Sequence, residues 1–84
     1  MMNSRPVFPT TLGDAVEFSK DGKDYRLKLE KDGIWVIHQR GVAAEEFQII
    51  VSNRRGGLVD VTGTGRVSLT ALGASEGLLF DKLF

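Results

Sequence analysis

Two Lys-Asp-Gly triplets, Lys20-Asp21-Gly22 and Lys31-Asp32-Gly33, constrain this chain more than any other feature. Asp-Gly between alternating apolar runs is a strong hairpin signal, because both central residues of a type I′ turn need positive φ. Two such turns bracket one strand and predict a three-stranded meander over residues 14–40. With two-residue loops, Phe18 faces Tyr25, Val16 faces Leu27, Leu29 faces Val36 and Leu27 faces His38. Side chains alternate between faces with period two. One face therefore collects Val16, Phe18, Tyr25, Leu27, Leu29 and Val36, with His38 at its rim. The other carries Glu17, Ser19, Asp24, Arg26, Lys28 and Glu30, and in this register Trp35 and Ile37 join them.

The segment 42–53 reads in two ways. As a strand, Phe47, Ile49 and Val51 alternate with Gln48, Ile50 and Ser52, and the β-branched Ile-Ile-Val run suits extended backbone. As a helix over 43–53, Ala43, Phe47, Ile50 and Val51 share a face and Gly56 supplies a stop. The strand is the preferred reading. Residues 58–72 form a hairpin around Gly63-Thr64-Gly65, which sets Val61 opposite Val67 and Val59 opposite Leu69. Gly65 supplies the left-handed residue that a three-residue loop requires.

Pro6 and Pro9 make residues 1–12 an extended arm, with Val7, Phe8 and Leu12 available to pin it. Residues 75–84 form an apolar helix or extension, in which Ser75 could cap a helix carrying Leu78, Leu79, Phe80, Leu83 and Phe84. So much apolar surface is expected to dock, either on the chain's own sheet or on a second copy. The fold class expected is mostly β: a small antiparallel sandwich or partly open barrel, built on the meander plus the C-terminal hairpin. An α+β layout with a helix at about 43–53 is the alternative.

Eighty-four residues make one domain, and 42% hydrophobic content supplies one small core. Cysteine is absent, so neither disulfides nor thiolate metal sites are available, and a cytoplasmic setting is expected. The formal net charge is zero, with Arg54-Arg55 as the densest basic spot. Such a balance argues against a strong phosphate-binding field. No apolar run approaches the roughly 18–20 residues of a membrane helix, and 1–12 lacks the apolar stretch of a secretory signal.

His38 is the only histidine, too little for a metal site or a nucleophile–base pair, and a structural role is expected. Gly63-Thr64-Gly65 lacks the lysine and the following helix of a phosphate loop. Glu45-Glu46 has no partner at a working carboxylate separation. Asn53-Arg54-Arg55-Gly56-Gly57 is a loop with adjacent guanidinium groups, which would suit a phosphate, although a solvated connector explains it as well. No cofactor, metal or catalytic residue is expected.

These features point to a non-enzymatic protein-binding module: an inhibitor, an adaptor or an accessory subunit of a larger assembly, of bacterial or phage type. Trp35, Ile37, Leu79, Phe80, Leu83 and Phe84 are the candidate contacts to a protein partner, and a homodimer is a second use for them. The alternative is a small β-barrel that binds nucleic acid through Arg40, Arg54, Arg55 and Arg66. Zero net charge weighs against that alternative, and no membrane partner is expected.

Overall fold

The computed structural model describes residues 6–67 and 69–75. Six strands, β1 (Ala15–Lys20), β2 (Lys23–Lys31), β3 (Ile34–Gln39), β4 (Phe47–Asn53), β5 (Leu58–Gly65) and β6 (Thr70–Ser75), follow one another in a single antiparallel sheet. Each strand pairs with its chain neighbours, and β1 and β6 are not joined into a closed barrel. A single 3₁₀ turn, Arg55–Gly57, is the only helical piece among the described residues. The mostly-β expectation therefore holds. The strand reading of 47–53 holds as well, so the helical alternative is excluded.

The first hairpin forms as the triplet dictates. Asp21 (φ 54°) and Gly22 (φ 78°) both occupy the left-handed region, and Val16 pairs with Leu27 and Phe18 with Tyr25. Phe18 and Tyr25 stack with ring centroids 5.3 Å apart.

The second triplet turns differently. Gly33 has φ 74° whereas Asp32 keeps a negative φ, the pattern of a turn that ends in a glycine bulge rather than type I′. Lys31 pairs with Ile34 but Leu29 pairs with Trp35, so Glu30 is the extra residue on β2. That slip reverses the expected faces of β3. Leu27 lies opposite Ile37, not His38, and Leu29 lies opposite Trp35, not Val36. Trp35 and Ile37 enter the core at 8% and 0% exposure. His38 stands on the outer face between Arg26 and Gln48, not at the rim of the core. Trp35 and Ile37 are thus not on the surface, where an anchor for a partner would stand.

The inner face is built from cross-strand rows. Leu29, Trp35, Val51 and Val61 form one, and Leu27, Ile37 and Ile49 another. Leu27, Ile37, Ile49, Val51, Val59 and Val61 are all below 2% exposed. The arm closes one end of this core. Phe8 packs edge-on to Trp35 at 5.1 Å, and the Trp35 indole Nε1 donates a hydrogen bond to the Pro9 carbonyl at 2.8 Å. Phe8 alone among the expected pins is buried; Val7 and Leu12 stay in solvent.

The second expected hairpin is also re-registered. β5 runs on through Gly65 to pair with Phe47 of β4, so Gly63-Thr64-Gly65 is strand, not loop. Val61 pairs with Ala71 and Val59 with Ala74, in place of Val67 and Leu69. The turn falls at Thr64–Val67, closed by the Val67 N–H on the Thr64 carbonyl. Gly63 leaves the space that Val67 fills: a Cβ there would sit 2.3 Å from Val67 Cγ1. Gly65, at φ +63°, would place a Cβ 2.2 Å from the Glu46 carbonyl oxygen. Gly65→Ala is therefore expected to destabilise by about 1–3 kcal/mol, measured as a lower urea midpoint. An unchanged midpoint would refute the close approach of the two loops.

Candidate interaction face

The outer face of the sheet has an apolar centre. Val36 pairs with Ile50, and one row along, Ile34, Ser52 and Asp60 lie in register. Val36 is buried at 8% exposure although it points away from the core. Ile34 and Ile50 beside it are half-buried, as is Leu58 two strands away on β5. Leu72 stands out at 75% exposure.

A bulge puts Leu72 there. Val59 pairs with Ala74 and Val61 with Ala71, so Leu72 and Gly73 together face Asp60. Gly73 takes φ 67°, a conformation that only glycine adopts without penalty. Its N–H donates to Asp60 Oδ1 at 2.9 Å, and Arg54 Nη1 lies 3.5 Å from the same oxygen. One carboxylate thus ties the bulge to the β4–β5 connection. A bulge on an edge strand disrupts continued pairing, so the side chains of this region, rather than its backbone, are what it presents.

Charged side chains rim the apolar centre. Lys28 Nζ lies 3.8 Å from Glu30, and Arg26 lies 3.6 Å from Glu17. These pairs are more than a third exposed and contribute little stability. Near the β1–β2 turn a groove of about 380 Å³ is lined by Glu17, Asp24, Tyr25, Arg26, His38 and Arg40. Burial pushes the Tyr25 phenol above its ordinary range; nearby Asp21 adds to the rise and Arg66 offsets part of it. Tyr25 therefore stays neutral at physiological pH. Among the described residues, no group of three or more His, Cys, Asp or Glu converges as a metal site, and no helix is long and apolar enough to cross a membrane.

The expected arginine surface is divided. Arg54 and Arg55 sit at the β4–β5 connection, and Arg40 and Arg66 at the opposite end of the strands. Seven residues of β4 separate the two ends by about 20 Å at the usual strand rise. Arg66 is held in place: its Nη2 donates to Gln39 Oε1 at 3.1 Å, its Nε lies 3.8 Å from Glu46, and its guanidinium lies over Phe47 at 5.8 Å. The expected contacts Leu79, Phe80, Leu83 and Phe84, like Leu78, lie outside the described residues. Sequence reasoning missed Leu72, whose only signal is the Gly73 that follows it. It also missed the outward side of Val36, which follows from the bulge at Glu30.

Comparison of the chain with protein-family models, with curated proteins and with solved structures finds no match.

Proposed function

We propose that this chain is a non-enzymatic protein-binding module that presents the outer face of its sheet to a partner. The observation that carries this reading is Leu72, projected by a glycine bulge near the half-buried Leu58, on the same face as Ile50 two strands away and Ile34 three strands away, with charged pairs at the border. An apolar centre within a polar rim is the anatomy of a protein interface. The arginine distribution favours this reading over nucleic-acid binding. A phosphate backbone is gripped by a continuous basic track, whereas here Arg54 and Arg66 each face a carboxylate and the pairs stand at opposite ends.

Capture from lysate of the native host tests it with two variants. Leu72→Lys combined with Ile50→Thr is expected to fold with stability within about 1 kcal/mol of the parent, since both sites are partly or fully exposed. That variant should lose the captured partner, with affinity reduced at least about fivefold, the effect of removing an interface anchor. Glu45→Lys, in the β3–β4 connection at the opposite end of the strands, should retain it. Equal capture by all three proteins would refute the outer face as the binding surface.

A further inference from the structure

The groove near the β1–β2 turn is bipolar, and its polarity follows from the sheet register. Two outer-face rows cross it. In one, Ser19, Asp24 and Arg40 lie side by side, the pairing extended past β3 by the Arg40 N–H on the Asp24 carbonyl at 2.8 Å. In the other, Glu17, Arg26 and His38 lie side by side. Arg26 and Arg40 are diagonal neighbours, a relation that places side-chain bases about 7–8 Å apart. His38 completes a triangle of nitrogen-bearing side chains on the β2–β3 side. Glu17 and Asp24 each have a partner across the β1–β2 ladder: Arg26 pairs with Glu17, and the Ser19 hydroxyl donates to Asp24. Arg40 and His38 have no side-chain hydrogen bond or ion pair among the described residues.

We infer that this groove receives a single carboxylate, an aspartate or glutamate side chain of the protein partner proposed above. The inference rests on that reading and deepens it. Among the described residues Arg40 is a planar fork of donors without a side-chain mate, and a carboxylate matches such a fork in a bidentate pair. Arg26 and His38 flank the place where its oxygens would lie. Glu17 and Asp24 on the groove wall set the charge class. They cancel the formal charge of Arg26 and Arg40, so the groove offers a phosphate dianion no net attraction to offset the larger desolvation cost of its two charges, and a carboxylate monoanion is favoured. The groove adjoins the outer face at Lys28 and Val36, so one partner could fill the groove while covering the apolar centre.

The test is an amide-resolved NMR titration of the full chain at constant ionic strength. The probes are a capped Gly-Glu-Gly peptide, its Gly-Gln-Gly counterpart, sodium acetate and inorganic phosphate. Saturable shifts at Arg26, His38 and Arg40 are expected with the glutamate peptide and not with the glutamine peptide. Arg40→Gln should weaken the response about tenfold, the usual loss of a charge-assisted hydrogen bond. Asp24→Asn should strengthen it. Acetate saturating as readily as the peptide would reassign the groove to free carboxylic acids and overturn the partner side chain as its occupant. Phosphate saturating below the peptide would overturn the selection for a monoanion. No saturable response, with partner capture still sensitive to Leu72→Lys and Ile50→Thr, would refute the groove and leave the outer-face reading standing.

Discussion

Replacing Trp35 with alanine is expected to lower the unfolding free energy by about 3–5 kcal/mol. A domain of 84 residues holds roughly 4–13 kcal/mol in total, so this one change removes a large share of it. Trp35 is 8% exposed and lies between Leu29 and Val51 in the inner row. Its ring meets Phe8 edge-on, and its Nε1 supplies the Pro9 carbonyl with a buried hydrogen bond. Alanine would leave a cavity and also release the arm. Trp35→Phe separates the two effects. It keeps most of the ring volume but leaves the Pro9 carbonyl without its donor, a loss of about 1–3 kcal/mol. Phe8→Ala combined with Trp35→Ala should fall short of the sum of the single losses, because residues in contact do not add independently. Urea denaturation followed by far-ultraviolet circular dichroism reads the parent and the four variants, the single Phe8→Ala among them, without relying on the lost indole. A Trp35→Ala loss under about 1 kcal/mol would refute the arm–tryptophan clasp.

The two Lys-Asp-Gly triplets show how far a sequence of this kind can be read. Both mark turns, and both turns occur where the triplets stand. Yet Asp21 takes positive φ and Asp32 does not, so identical words produce different registers. The difference arises downstream. After the first turn, polar and apolar residues alternate, and only one register buries Tyr25 and Leu27 together. After the second comes Ile34-Trp35-Val36-Ile37, apolar at every position, and period two alone cannot choose a face. Size chooses it. Turning Trp35 and Ile37 inward buries far more apolar surface than turning Val36 and His38 inward, and each large side chain contributes about 1.5–3 kcal/mol. The bulge at Glu30 is the local adjustment that permits this. The second misreading has a similar origin. Gly63-Thr64-Gly65 resembles a loop, but Gly63 makes room for Val67 and Gly65 makes room for the Glu46 carbonyl. Both reasons are contacts between segments distant in sequence. On the outer face, Glu17, Asp24 and Arg26 follow from the first register. The groove closes only when His38 stands beside them, and that depends on the bulge.

Ile37 and His38 give the sharpest measurement of that register. Ile37 is fully buried, with Leu27 on one side and Ile49 on the other. Ile37→Ala is expected to cost about 2–5 kcal/mol, as is Leu27→Ala. The pair should also couple by about 0.5–3 kcal/mol in a double-mutant cycle, because the two side chains occupy adjacent sites in one row. His38→Ala should change stability by less than about 1 kcal/mol, since its side chain stands on the outer face and fills no core site. A two-residue type I′ turn at Asp32-Gly33 would reverse the order, placing His38 against Leu27 and Ile37 in solvent. Urea midpoints of the three single variants decide between these arrangements. A larger loss for His38→Ala than for Ile37→Ala would overturn the bulge at Glu30. With it would fall the burial of Trp35 and the placement of His38 in the groove, because one slipped residue sets all three.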